Sequence, residues 1–350
     1  MMDRVSGLPI QSGLVGCGEV ARNHAMAMRK GDAFRLRSVY DQDYPRARAF
    51  ASSFEAECQE SLDDLFRDEN ELLCICTPNA THRDYVEMSL QAGMHVVVEH
   101  PLALSGEEAR RLATRAARSG RRVFVVRQRR FLRSVQLLRN VIATGMLGPP
   151  VGFRASMIWS RRDTYFEEKR WQAGREGGGV ITNQASHFID ILQYIVGPLQ
   201  PSSVLTANLR HNMAACDSVY ANLNARTSSG TFFATVAAPD GMNDGSFVVE
   251  FEKRSLRLTG KGWQSIAGLT VAEEATLEQM IAGPVTGDHS CYLERVSSVL
   301  NGEEMEVVEA ESAIATTELI ELLNGVAVSN APELREVLAD EVRTMGLVQT

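Results

Sequence analysis

Paired cysteines, membrane-length apolar runs and an excess of positive charge are all missing from these 350 residues. The six cysteines, Cys17, Cys58, Cys74, Cys76, Cys216 and Cys291, include no C-x-x-C pair. A chain this long needs no covalent staples, so reduced, buried thiols are expected. No apolar stretch approaches the ~18 residues that a bilayer span requires, so no membrane partner is expected. Acidic residues outnumber basic ones, 44 to 36, and a net charge of −8 argues against nucleic acid as a partner. The opening MMDRVSGLPIQSGLVGCG has neither the basic start nor the apolar core of a signal peptide, and a cytoplasmic protein is expected. What remains is a globular composition, 44% hydrophobic and 23% charged, in a chain too long for one ordinary core. Two domains are expected.

From residue 10 onward, apolar runs and helical patterns alternate. SGLVGCG reads as a strand and VARNHAMAMRKG as a helix closing on Gly31. RLRSVYD is a second strand, followed by a helix through YPRARAFASSF. LLCICTP and HVVVEHP are further strands, each followed by a helical pattern, and RRVFVVRQ adds another strand. Such alternation predicts a parallel sheet wrapped by helices, with ligands outside the carboxyl ends of its strands.

The first strand-to-helix turn carries Gly16, Gly18, Glu19, Val20 and Ala21 in a G-x-G-x-x-A pattern. Gly16 permits the tight turn, Gly18 lets backbone approach a pyrophosphate, and Ala21 allows close packing of helix on strand. Asp41 closes the next strand at the expected ~20-residue offset, which makes the whole a dinucleotide fingerprint. The Asp41 carboxylate suits the hydroxyls of the adenosine ribose and repels a 2′-phosphate, so NAD is favoured over NADP. Arg46 lies close enough in sequence to keep NADP open as the less favoured cofactor.

Two further strand tips belong to the same crevice. Thr77, Pro78, Asn79 and His82 follow LLCICTP, and Glu99, His100 and Pro101 follow HVVV. The plain reading is an ordinary strand exit, a first-turn histidine and a solvated loop. Against it stands their position, because ligands of open parallel sheets gather at such tips. All six residues before Pro101 are therefore candidate cofactor or catalytic contacts.

After MLGPPVG the alternation stops, and the chain divides into a first domain over 1–130 and a second over 131–350. VGFRASMIWS, SSVLTANLRHN, SVYANLNARTSSGTFFATVAAP (with a Ser-Ser-Gly turn) and GSFVVEFEKRSLRLTG are rich in strand patterns. They predict an α+β domain with an open, mostly antiparallel sheet. Gly177, Gly178 and Gly179 open a helix that places Asn183, His187 and Asp190 on one face. Between 154 and 175 stand Arg154, Arg161, Arg162, Lys169, Arg170 and Arg175, interleaved with Trp159, Tyr165 and Trp171. This is either a solvated face or a clamp for an anionic sugar nucleotide, in which arginine forks grip phosphate or carboxylate. SCYLERVSSVLNG and AIATTELIELLNGVA are amphipathic helices expected to pack on both domains. No histidine or carboxylate set has ligand spacing, so no metal is expected.

GLVGCGEVA, VYD, CTPNATH and VVVEHPLALSGEEA resemble successive motifs of the glucose–fructose oxidoreductase/inositol dehydrogenase/rhizopine-catabolism (Gfo/Idh/MocA) family. The resemblance runs nearly the whole chain and implies a Rossmann domain followed by an α+β domain, an NAD cofactor, a sugar substrate and a homo-oligomer, dimer or tetramer. The family's usual Glu-Lys-Pro places a lysine beside the reacting hydroxyl; here position 100 is histidine. Asn183, Gln184, His187 and Asp190, with the preceding IWSRRDTYFEEKRWQAG, look most like UDP-N-acetylglucosaminuronate 3-dehydrogenases of surface-polysaccharide synthesis. That likeness implies that Arg161, Arg162, Arg170, Trp171, Gln184 and Asp190 contact substrate, and it places His187 over the nicotinamide.

Two divisions of labour are then open. Either His100 accepts the hydroxyl proton while His187 orients the hydroxyl, or His187 is the base and His100 shapes the pocket. Three classes of function are also open: an NAD-dependent sugar or nucleotide-sugar dehydrogenase acting at ring carbon 3, a redox-neutral NAD-dependent glycoside hydrolase or lyase, and a sugar sensor without turnover. The dehydrogenase is the leading expectation.

Overall fold

The computed structural model describes residues 8–328 and 333–344. The chain divides into two compact units: one holds residues up to Gln128 together with Ala282–Thr317, the other Arg129–Ile281 and the residues from Glu318 on.

In the first unit, β1 (Ile10–Val15), β2 (Phe34–Tyr40), β3 (Glu57–Cys58), β4 (Leu72–Ile75), β5 (His95–Val98) and β6 (Val123–Val125) form one sheet in the order β3-β2-β1-β4-β5-β6. Every pairing is parallel. Four helices connect the longer strands: α1 (Glu19–Lys30), α2 (Tyr44–Phe54), α4 (His82–Gln91) and α5 (Gly106–Ser119), with the short α3 (Leu62–Arg67) between β3 and β4. The strand order reverses between β1 and β4, the place where such sheets bind ligands. β4 is buried throughout because helices cover both faces of a parallel sheet, so its sequence LLCI shows no alternation.

Helix ends follow from local chemistry. Asp43 caps α2 by accepting the Arg46 N–H, and Ser105 caps α5 by accepting that of Glu108. Gly120 ends α5 in the left-handed region. The apolar face of α4 (Val86, Leu90) and that of α5 (Ala109, Leu112) pack with Val15, Leu73, Ile75, Val96 and Val98 into one core.

The second unit begins with α6 (Arg133–Thr144) and, among the described residues, contains seven strands: β7 (Pro150–Trp159), β8 (Gln200–Ala207), β9 (Ser218–Asn224), β10 (Ser229–Thr235), β11 (Asn243–Phe251), β12 (Ser255–Thr259) and β13 (Ser265–Ala267). They form a single sheet in the order β13-β12-β11-β7-β10-β9-β8, antiparallel except where β7 meets β10. One face takes α6 and α8 (Ser186–Val196), burying Leu138, Val141, Phe188 and Leu192 against Phe232, Phe247, Val249 and Trp263. The short α7 (Asp163–Glu168) precedes α8, and α9 (Val271–Glu278) follows β13.

α10 (His289–Leu300) and the start of α11 (Ala310–Asn324) return to the first unit. There the Tyr292 hydroxyl donates to the Val125 carbonyl at 2.6 Å, and the Val125 N–H donates to Val308 at 2.8 Å. α12 (Glu333–Thr344) closes the described chain, with Leu334 and Leu338 against the second sheet's other face.

Three local expectations are corrected. The strand over SGLVGCG starts at Ile10 and ends at Val15, leaving Gly16 to Gly18 as the turn. Ser229 and Gly230 lie inside β10, and the hairpin turns before them, with the Ala225 N–H donating to the Ser228 carbonyl. The glycines at 177–179 lead into a π-helical turn over Val180–Gln184, and α8 starts only at Ser186. All six cysteines are free and five are buried. Among the described residues, no helix is long and apolar enough to cross a membrane.

Leu73 is fully buried in β4, whereas Leu322 on α11 is 48% exposed. Leu73→Ala is expected to cost ~2–5 kcal/mol of stability, and Leu322→Ala no more than ~0.5 kcal/mol. Urea unfolding midpoints of the two variants check this contrast.

Candidate active site

The glycine turn sits where β1 leaves the sheet. Gly16 has φ +87°, and a Cβ there would lie 2.8 Å from the Cys76 carbonyl group at the exit of β4. No other residue type fits. Gly18 is the reverse case, because a Cβ at that position meets nothing within 4 Å. The space above it is open. Gly18 starts α1 without a side-chain cap, so the helix presents unsatisfied N–H groups and its positive dipole end to that space. Glu19 is exposed and Val20 half-buried in the same first turn. These features fit the pyrophosphate of a dinucleotide.

Asp41 stands beside the turn, 8% exposed. One carboxylate oxygen accepts the Cys17 N–H and the other the Asp43 N–H, each at 2.8 Å. Each oxygen keeps a further lone pair for a ribose hydroxyl. The Arg46 guanidinium lies 3.7 Å from Asp41 and 2.9 Å from Asp43, half-exposed. Burial, reinforced by the nearby Asp41 charge, pushes the Cys17 thiol up to about 12, so it remains a neutral wall of the turn.

At the next tip, Thr77 is half-buried, Pro78 exposed and Asn79 buried. His82 is fully buried, its Nδ1 2.7 Å from the Pro101 carbonyl and its Nε2 2.9 Å from that of Thr77. It joins the exits of β4 and β5 through both ring nitrogens. Glu99 also serves the interior: its Oε1 accepts from His24 Nε2 at 2.8 Å and meets His289 Nε2 at 3.2 Å. Burial pushes the Glu99 carboxyl up, but the hydrogen bonds from the two imidazoles outweigh it and hold the group well below the usual carboxylate range. Burial lowers His24 below its ordinary value despite the Glu99 bond. Beside this cluster, His100 is half-buried.

In the second unit, Gly178 is pressed against backbone, where a Cβ would lie 2.3 Å from the Gly174 carbonyl. The π-helical turn that follows carries Asn183 and Gln184, and α8 carries His187. Asp190 is paired with Arg130. Its two oxygens accept from Arg130 Nε and Nη2, both at 2.7 Å, with the carboxylate 2% exposed. Two parallel hydrogen bonds of this kind fix the carboxylate's orientation. Arg161 lies over Trp159 and Tyr165, 5.1 and 5.4 Å from their ring centres, and Lys169 lies 4.9 Å from that of Tyr165. Gln184 faces the Tyr165 hydroxyl at 3.4 Å. Arg162 is exposed and 3.5 Å from Asp240, Arg170 is exposed, and Trp171 is half-buried. Arg161, Tyr165, Lys169 and Gln184 thus share one cationic, aromatic patch.

Sequence patterns passed over His24, His289 and Arg130, whose partners lie 75, 190 and 60 residues away. The one available signal was weak: His24 falls on the apolar face of α1 with Ala21, Ala25 and Met28.

A parallel sheet with an open glycine turn beside an acidic strand end defines a Rossmann-type dinucleotide-binding protein. Residues 10–127 match the model of an oxidoreductase family with an NAD-binding Rossmann fold, and residues 135–257 match the Gfo/Idh/MocA C-terminal domain. The chain belongs to the Gfo/Idh/MocA family, and its cofactor is NAD. The WlbA dehydrogenase of Bordetella pertussis, solved in complex with NADH and UDP-GlcNAcA, is 28% identical with a TM-score of 0.81, over 89% of this chain and 94% of that one. Glucose-6-phosphate 3-dehydrogenase of Bacillus subtilis is 27% identical over 57% of each chain. D-glucoside 3-dehydrogenase of Escherichia coli is 26% identical over 56% of this chain and 57% of its own. The match spans little more than half the length of these two curated relatives.

The buried imidazole and carboxylate make the fold acid-sensitive. Unfolded, His24 takes up a proton near pH ~6.5 and Glu99 near ~4.3. Both do so at lower pH when folded, because both are depressed in the native state. Stability is therefore expected to be full above pH ~6.5 and to fall as pH drops below it, and again below ~4.3. Thermal melts across that range check the direction, and His24→Gln is expected to flatten the upper step.

Proposed function

We propose that the protein is an NAD-dependent dehydrogenase that oxidises a secondary hydroxyl of a sugar or nucleotide sugar, at ring carbon 3, in the cytoplasm. The observation that carries this reading is the open glycine turn beside Asp41, in the same unit as a half-buried imidazole at the tip of β5. When bound, NAD supplies the hydride acceptor. The chain's own task is then to remove the hydroxyl proton. His100 accepts it and His187 orients the hydroxyl, since an imidazole with an unperturbed pKa of ~6.5 changes charge near neutral pH without further tuning. Arg161 and Lys169, flanking Tyr165, suit an anionic group on the substrate. WlbA, with its NADH and UDP-GlcNAcA, and the two sugar 3-dehydrogenases support a sugar nucleotide and the 3-position. The working form is a homo-oligomer, a dimer or tetramer.

Turnover of UDP- and TDP-sugars with NAD, preceded by a thermal-shift screen of the same ligands, tests the activity. Reduced nicotinamide is expected to accumulate with product; product without it would mean redox-neutral cleavage. His100→Ala is expected to lower kcat by ~10²–10⁴. A comparable loss confined to His187→Ala would exchange the two roles, and small equal losses would reject both. Asp41→Ser with Arg46 kept is expected to raise kcat/KM with NADP relative to NAD. An unchanged ratio would remove Asp41 from the ribose.

A further inference from the structure

The chain has seven histidines, and three of them surround the tip of β5 within the first unit. His24, on α1, and His289, the first residue of α10, both meet the same Glu99 oxygen, with ring centres 4.7 Å apart, edge to face. His82, at the start of α4, meets the Pro101 carbonyl. The Glu99 N–H donates to the Ile75 carbonyl at 3.0 Å. Both chain neighbours of His100 are therefore tied down, one through its side chain and backbone, the other through its carbonyl.

Two imidazoles and a carboxylate are also the donor set of a zinc site, and the ligand atoms lie within 4.8 Å of one another. His24 argues against a metal. A metal-bound imidazole carries its proton on the other ring nitrogen and donates it to a carbonyl or carboxylate. Nδ1 of His24 is buried with no hydrogen-bond partner. A buried N–H without an acceptor is rarer than a buried acceptor without a donor, so the proton belongs on Nε2, facing Glu99. The cluster is complete as hydrogen bonds.

We propose that His24, His289 and His82 are positioning residues that hold His100 in place for proton transfer, acting through Glu99 and Pro101. This rests on His100 being the base, as proposed above. An imidazole is short and rigid, so its reach depends on where the backbone stands. Proton transfer works only over ~2.6–3.2 Å, and a displacement of ~1 Å can cost ~10² in rate. The same network ties β5 to α1, whose first turn is the cofactor cradle. One carboxylate thus registers the cradle and the base against each other.

His289 is the position to change, because it lies at the edge of the cluster with 13% of its side chain exposed. His289→Leu is expected to lower kcat by ~10–10², with KM for the sugar and Kd for NAD unchanged. His289→Gln is expected to restore most of the rate, since its amide still donates to Glu99. Nuclear magnetic resonance of isotope-labelled histidine in the NAD-bound protein gives a readout without turnover. The His100 resonance is expected to be sharp in the wild type and in His289→Gln, and shifted or broadened in His289→Leu. If His289→Leu does not fold, His289→Ala, which also removes the donor to Glu99, replaces it with the same expectations.

An unmoved His100 resonance, or equal losses in the Leu and Gln variants, would overturn the proposal and leave His289 a packing residue. So would stoichiometric zinc in the purified protein whose chelation moves that resonance. If the wild type oxidises no sugar, the kcat comparison fails together with the proposed function, and the resonance still decides the positioning.

Discussion

A forbidden side chain governs the first unit. β1 is paired on both sides, and its exit must pass so close to Cys76 that only glycine at position 16 allows it. The left-handed φ there turns the chain, and the next residues begin α1 with their N–H groups unsatisfied. The Cys17 N–H points to Asp41, which fixes the acidic strand end against the turn. α1 then runs back along the sheet and delivers His24 to Glu99. Glycine turn, acidic strand end and strand tip all follow from one point of contact between neighbouring strands.

Buried charge is handled differently in the two units. In the first, Glu99 accepts hydrogen bonds from two imidazoles, an arrangement that responds to acid. In the second, Asp190 faces a guanidinium that stays charged at any working pH, with two parallel hydrogen bonds. Removing one partner would in either case strand a charge away from water, a cost far above that of an exposed pair. Arg46 shows the exposed extreme, shared between Asp43 and Asp41 and open to solvent.

What could be read beforehand was what the chain encodes locally. Strand, glycine turn, helix and Asp41 lie within 32 residues, from Ile10 to Asp41, and each has its own periodicity or turn chemistry. The strand-rich second domain was legible for the same reason. β3 escaped because two residues, Glu57 and Cys58, carry no period. The π-helical turn escaped because the chain enters it with Gly179 and Val180 against Ala215 and Cys216, a tertiary contact. Asp190 lies on α8, but its partner Arg130 comes from a distant segment. His24 and His289 meet only after folding, so neither spacing nor composition marks them.

The first unit is discontinuous, and this bears on how the protein is made. Its first segment runs out at Gln128, yet Tyr292, Val308 and Glu309 complete the border of β6, and His289 completes the shell of Glu99. A ribosome adding roughly 5–20 residues per second exposes the nucleotide-binding half for many seconds before its last pieces emerge. Through that interval β6 offers unpaired backbone to any neighbouring strand. The second unit is split as well, with Leu319, Ile320 and Leu323 of α11 packed in its core, so both units close only once α11 has been made.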